Sequence, residues 1–326
     1  MNRKKFLVRA SVAALALWSV CSGAQAQSYP DKAIRLIIPQ APGGGSDTLG
    51  RFVAQKLTER LGQQVVVDNK PGAAGMLGAE YVKQAPPDGY TLLLSAIDTI
   101  TAPLVNKRPS LDAVRDFTPV SQLAQSPNVW LVSPSLDITT MAQLVDKARA
   151  EPGKIDFASS GVGGMQHLGG ELLNKMAGVK LAHVPYKGGP PAFADVIAGR
   201  VPAMVSGLQG ALPQIQSGKV RGLAVTGKKR DVSLPDLPTV ADALKLPDYE
   251  AINWQGLSLP AKTPQPIIDR LAKEVAAIMA EPATREKLQV LGYEPIGNTP
   301  AQFAQIMRSE QDKWAKLIRE ANITAD

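Results

Sequence analysis

One cysteine occurs in the 326 residues, Cys21, and it falls in an N-terminal segment that reads as a leader. Past that segment there is no thiol, which excludes disulfides, thiolate metal sites and cysteine nucleophiles. Histidine is almost as scarce: His167 and His183 are the only two, and they lack the neighbouring carboxylate spacing of a metal site, so no metal and no cofactor is expected. The one long apolar stretch, from about Ala10 to Val20, is too short to span a bilayer. A concentrated Lys/Arg stripe is missing as well. The short cluster Lys228-Lys229-Arg230 reads as a solvated turn, so nucleic acid is not an expected partner. Three chemical motifs also fail: Thr48 stands where G-x-G-x-x-G needs its third glycine, Lys229 where the phosphate loop G-x-x-x-x-G-K-S/T needs a hydroxyl, and no G-x-S-x-G elbow surrounds Ser160.

Residues 1–26 have the layout of a secretory signal cleaved after Ala26: basic Arg3, Lys4, Lys5 and Arg9, the apolar stretch, then Ala24-Gln25-Ala26. Val20 precedes Cys21 where a lipoprotein signal wants a small residue, so no lipid anchor is expected. The segment holds four of the 36 basic residues and none of the 29 acidic ones, so its removal lowers the formal charge from +7 to +3. A mildly positive, exported protein suits an organic acid as its partner. About 300 remaining residues exceed what one hydrophobic core usually organises, which favours two lobes.

Strand-like runs alternate with helical patterns, the mark of α/β layers with mixed, mostly parallel sheets. The first part predicts strands at Ile34 to Ile38, Gln64 to Asp68, Thr91 to Ser95 and Thr118 to Leu123, with helices at Asp47 to Leu61 and Met76 to Gln84. The second part predicts strands at Val129 to Val132, Asp156 to Ser159, Ala182 to Tyr186, Val201 to Ser206 and Gly222 to Thr226. Helices at Met141 to Ala150, Met165 to Ala177, Pro191 to Ala198 and Leu212 to Ser217 lie between them. A short helix at Thr239 to Leu244 and a strand at Ile252 to Leu259 follow. Two amphipathic helices close the chain, Pro264 to Leu291, broken at Glu281-Pro282, and Pro300 to Ala321. These last helices need a bare sheet face, and the first part has one. Lobe 1 is therefore expected to be discontinuous, 27–125 with 251–326, and lobe 2 to span 126–250, with two hinge crossovers near Gln125 and Glu250.

Gly43, Gly44, Gly45, Ser46 and Asp47 follow a strand and open a helix, an arrangement whose backbone N–H groups accept an anion. The same residues also read as a tight turn with an ordinary cap. Gly72 to Gly75, leading into Met76, repeats the device after the second strand, either as an anion loop or as a packing loop. Ser95 ends the third strand at the same edge. In the second part Ser159, Ser160 and Gly161 to Gly164 resemble the first loop, with Gly161 and Gly163 supplying backbone freedom and His167 one turn inside the helix. His167 reads as a ligand contact or as a satisfied helix residue. A serine hydrolase using Ser160 or Ser206 with His167 is the rival enzyme reading; a ligand sensor for a membrane kinase is the rival among binding proteins.

Several motifs in order then resemble one family: Pro42-Gly43-Gly44-Gly45-Ser46-Asp47, Asn69-Lys70-Pro71-Gly72-Ala73-Ala74-Gly75, Pro87-Asp88-Gly89-Tyr90-Thr91-Leu92, His183-Val184-Pro185-Tyr186-Lys187-Gly188 and Leu234-Pro235-Asp236-Leu237-Pro238-Thr239. Trp254-Gln255-Gly256-Leu257 and Pro260-Ala261-Lys262-Thr263-Pro264 agree. The chain resembles the Bug (TctC-like) solute receptors of tripartite tricarboxylate transporters over essentially its whole length past the leader. The resemblance implies a type II periplasmic-binding-protein fold, two α/β lobes closing on a small organic carboxylate, and delivery to membrane permease subunits by a monomeric, non-enzymatic protein in the periplasm. It implies ligand contacts from Gly43 to Asp47 and Gly72 to Met76 on one side, and from Ser159 to Gly164, Tyr186 and Ser206 on the other. Gln40 and Ala41 stand where relatives often carry an aromatic, and Ala73-Ala74 replaces a more glycine-rich pair.

Overall fold

The computed structural model describes residues 29–106 and 110–324. The expected leader, its cleavage site and Cys21 lie outside the described residues. The chain runs β1 (Ile34–Ile38), α1 (Gly45–Leu61), β2 (Val65–Asn69), a 3-10 turn (Ala73–Gly75), α2 (Met76–Lys83), β3 (Thr91–Ala96), α3 (Ile97–Val105), α4 (Ala113–Asp116) and β4 (Phe117–Val132). It continues through α5 (Met141–Ala150), β5 (Asp156–Ser159), α6 (Met165–Ala177), β6 (Ala182–Pro185), α7 (Gly189–Ile197), β7 (Ala203–Gly207), α8 (Leu208–Gln216), β8 (Arg221–Val225) and α9 (Val240–Leu244). It ends with β9 (Ile252–Pro260), α10 (Gln265–Ala280), α11 (Pro282–Val290), β10 (Glu294–Pro295) and α12 (Pro300–Glu320).

Local chemistry accounts for most of these elements. In β1 every residue but Arg35 is buried, as expected of a parallel strand covered on both faces. Helix α1 ends at Gly62 in the left-handed region, where glycine carries no Cβ penalty. Helices α5 and α12 open with reciprocal capping boxes, Thr140 with Gln143 and Thr299 with Gln302. Three expectations need correction. The runs 118–123 and 129–132 are parts of one 16-residue strand, β4. Pro127 sits where the pairing of β4 with β9 ends and its pairing with β7 begins, so its missing N–H breaks no continuous ladder. Helix α8 begins at Leu208, four residues early, and holds Pro213 in its interior. Helix α3 was not anticipated, because Ile97, Thr99, Ile100, Thr101 and Pro103 are poor helix formers; packing against α12 overrides that preference.

Two sheets share β4. The first runs β2-β1-β3-β9-β4, with β10 on the far side of β4. The second places β8 and β7 on either side of the latter half of β4, followed by β5 and β6. In the first sheet β1, β2 and β3 are parallel while β9 runs against β3 and β4; in the second, β5, β6 and β7 are parallel and β4 opposes β7 and β8. Helices α1 and α10 cover one face of the first sheet with Leu49, Val53, Leu57, Leu271 and Val275. Helix α12 covers the other with Phe303, Met307, Trp314 and Leu317, and reaches α6 beside the second sheet. Each such large side chain contributes about 1.5–3 kcal/mol by burial, before conformational entropy is counted against it.

Candidate functional site

Strand register decides where the glycine loops open. Ala96, the last residue of β3, pairs with Gln255, and Gln255 pairs with Ala124, so β1, β2 and β3 end level with the point where β4 leaves the first sheet. In the second sheet Gly207, the last residue of β7, pairs with Asn128, and the Thr226 N–H after β8 donates to the Asn128 carbonyl at 2.9 Å. Both sets of carboxyl-terminal strand ends therefore face the same crossover, residues 124–128 beside 252–255. A ligand in an α/β protein lies outside the carboxyl ends of its strands. Here two such edges oppose each other.

The first loop is held by Asp47. Its Oδ2 accepts the Gly43 N–H at 2.9 Å and the Arg51 Nε–H at 2.9 Å, and its Oδ1 accepts from Asn69 Nδ2 at 2.9 Å. The Arg51 hydrogen bond is the main cause that lowers this carboxyl to about 2, and the Gly43 and Asn69 bonds add to it against the cost of burial. Asp47 is thus a fully engaged internal anion, and the Gly43 N–H is engaged with it. The exposed N–H groups of Gly44 and Gly45 and that of half-buried Ser46 have no partner among the described hydrogen bonds, and they form the free start of α1.

The second loop repeats this construction. Gly163, at φ +75, donates its N–H to His167 Nδ1 at 3.1 Å, as Gly43, at φ +83, does to Asp47, and Gly164 caps α6 as Gly44 caps α1. The His167 ring stacks on His183 with centroids 3.7 Å apart, and His183 Nε2 lies 2.6 Å from the buried Ser159 Oγ. Burial, reinforced for His167 by the neighbouring ring, lowers His167 to about 3 and His183 to about 4. Both are neutral at neutral pH, and Nδ1 of His167 is free to accept. Its Nε2 stands 3.8 Å from Glu171, which makes no ion pair with a neutral ring. Ser160 is half-buried and donates to Gln166 Oε1 at 3.2 Å.

Other expected contacts fall in different places. Ser95 Oγ is fully buried and bonded inside the sheet, 3.1 Å from the Gly256 carbonyl and 2.8 Å from Ser258 Oγ. Tyr186 donates its hydroxyl to Asp195 at 2.6 Å, and burial leads the causes that push it up to about 12. Gly75, at φ +90, lies over Pro39 beside the first loop, where a Cβ would come 3.4 Å from Pro39 Cβ, and Met76 starts α2 half-buried. Ala73 and Ala74 both adopt positive φ, 47° and 53°, as their glycine-rich counterparts would do more cheaply. Ser206 is the penultimate residue of β7, at the crossover, and donates its hydroxyl to the Gly207 carbonyl at 3.2 Å. Neither Ser160 nor Ser206 is hydrogen-bonded to His167; the serine that does meet a histidine, Ser159, is buried, and that histidine touches no carboxylate.

Two residues at this edge carried no signal in the sequence. Tyr293 Oη sits 2.6 Å from where a Cβ on Gly45 would be, and burial holds its phenol neutral, at about 12. Gln209, in the first turn of α8, donates to the Gly292 carbonyl at 3.1 Å and lines a cavity of about 310 Å³ with Gly43, Gly45, Thr48 and Tyr293. Asp98, in the run that ends the third strand, lies in the first turn of α3 with no hydrogen-bond or ion-pair partner among the described residues, and burial raises its carboxyl to about 6. On the far side of the crossover, a Cβ at Gly163 would meet Val105 of α3 at 2.7 Å, so the second loop abuts the first sheet's helices directly.

With this geometry in hand, known proteins give a consistent picture. A family model described as "Tripartite tricarboxylate transporter family receptor" matches residues 49–323. A Pseudomonas sp. (strain P51) protein described as "UPF0065 protein in tcbD-tcbE intergenic region" is 37% identical, covering 98% of this chain and 96% of its own. The structure of R. palustris Rpa4515 with adipate superposes with a TM-score of 0.80 at 36% identity, covering 91% of this chain and 99% of that one. The structure of periplasmic binding protein BugD gives 0.76 at 33% identity, over 91% and 99%.

Proposed function

This chain belongs to the tripartite tricarboxylate transporter receptor family, and on that premise we propose that it captures a small organic carboxylate between two lobes and presents it to membrane permease subunits. The proposed lobes are 27–125 with 251–326, and 126–250, hinged where β4 and β9 cross. The proposed setting is the periplasm, reached by a leader cleaved after Ala26, and the proposed working form is a monomer without cofactor or chemistry on the ligand. The observation that carries the reading is the pair of matched helix starts, at Gly44 and Gly164, on opposed strand edges. One R. palustris relative has adipate in its structure, in keeping with a carboxylate as ligand.

Energetics set the number of contacts. A helix start attracts an anion by roughly 0.3–1 kcal/mol, and each hydrogen bond to a charged group adds about 1.5–3 kcal/mol. Micromolar affinity corresponds to about 8 kcal/mol, so several N–H and hydroxyl donors from both sides must engage one carboxylate. Closure follows because the closed form supplies contacts that the open form lacks. The test is a thermal-shift screen of residues 27–326 against carboxylates. A bound acid at a hundredfold excess over its Kd stabilises the fold by about 2.7 kcal/mol. Gly44→Val and Ser160→Ala are each expected to reduce that shift; a full shift in both variants would move the site elsewhere, and no shift with any acid would end the proposal.

A further inference from the structure

Behind the second edge, between α7 and α8, lies a cavity of about 590 Å³. Ser160, Gln166 and Ser206 stand at the end that faces the crossover, its mouth, while buried Phe193 and Met204 form its floor and exposed Ile197 and Pro213 its rim. None of its lining residues is charged. Gly210 keeps the space open on the α8 side, since a Cβ there would already lie 3.3 Å from Ser206 Oγ and 3.4 Å from Phe193 Cε2. An apolar cavity of about 150 Å³ is enough for benzene, so this one has room for an aryl ring or a six- to eight-carbon chain.

Resting on the carboxylate reading above, we infer that the ligand is a monocarboxylate with an apolar alkyl or aryl body. Its head meets the loop donors at the mouth, and its body fills the cavity between α7 and α8. A polar mouth joined to an uncharged, mainly apolar groove is what such an amphipathic acid requires. A second carboxylate at the far end of the ligand would meet no basic side chain among the lining residues and would forfeit the apolar contact that an alkyl or aryl end makes with Phe193, Ile197 and Pro213. The cavity therefore selects against diacids of the same length.

Hexanoate and adipate differ only at that far end, which makes them the matched probes. Isothermal titration of residues 27–326 is expected to give hexanoate at least tenfold tighter binding than adipate. Ile197→Asp and Ala194→Trp, both at exposed positions of α7 beside the cavity, are each expected to weaken hexanoate at least tenfold while leaving the unfolding midpoint of the free protein unchanged. Adipate binding as tightly as hexanoate, or both variants keeping full hexanoate affinity, overturns the monocarboxylate inference and leaves the carboxylate reading intact. Silence from every acid in a wider panel overturns both.

Discussion

Asp47 and His167 occupy equivalent positions, one turn inside the two opposed helices, and each accepts the N–H of a positive-φ glycine four residues earlier. Their charge states differ: Asp47 is held ionised by Arg51, while burial keeps His167 neutral. The second loop is consequently sensitive to acid. Protonating His167 converts its Nδ1 from acceptor to donor and sets it against the Gly163 N–H. Because His167 and His183 titrate lower in the fold than when unfolded, the unfolded chain binds more protons between about pH 6.5 and pH 3–4. Stability is fully present above that window and falls as pH drops through it. Unfolding midpoints measured from pH 7 to pH 4.5 should decline, and His167→Gln, which keeps an acceptor for Gly163, should flatten the decline. An equal slope in the variant would remove His167 as the cause. The depressed Asp47 carboxyl acts in the same direction, but only below about pH 4.

At the scale of elements, the first loop depends on a segment far away in sequence. Tyr293 follows α11 and lies over Gly45, so the start of α1 fits only because position 45 has no side chain. Gly45→Ala places a Cβ 2.6 Å from the Tyr293 hydroxyl but 3.7 Å from its ring carbon Cζ. Chemical denaturation should show Gly45→Ala destabilising the native protein by about 1–3 kcal/mol, and the same change costing clearly less in a Tyr293→Phe background. A coupling energy below about 0.5 kcal/mol would mean the two residues do not meet. This pairing marks the boundary of what the sequence discloses. Strand-loop-helix units such as β1 to α1 and β5 to α6 are written locally, in apolar runs, glycines and helical periodicity, and were read within a few residues. Contacts between distant segments, such as Tyr293 with Gly45 or Gln209 with Gly292, leave no spacing to detect. Helix α3 and the unbroken β4 escaped for a related reason, because tertiary packing overrode local propensity. Within the candidate site, the glycines and Ser160 were legible as loop residues, whereas the orientations of Ser95 and Tyr186 depended on neighbours no pattern records.

For the whole molecule, two sheets joined through β4, with β9 crossing beside it, bring both glycine loops to strand ends that face one crossover, and a single apolar cluster runs behind it from Ile97, Trp254 and Phe303 to Trp130, Phe157 and Leu168. Helix α12 packs along β4 and reaches α6, and Gln209 bonds to Gly292 across the crossover, so the two halves are linked on both flanks of it. A third cavity, of about 290 Å³, lies near the same crossover, lined by Lys228, Lys229, Arg230 and Arg285 with Asp231, Glu250 and Glu294. Its basic side chains make it the natural competitor for an anion. The most direct test is a crystal structure of residues 27–326 with a bound acid identified by thermal shift. Carboxylate oxygens are expected within hydrogen-bond distance of the N–H groups of Gly44 to Ser46 and of Ser160 or the α6 start. An acid seated instead among Lys228, Arg230 and Arg285, touching neither loop, would contradict this placement.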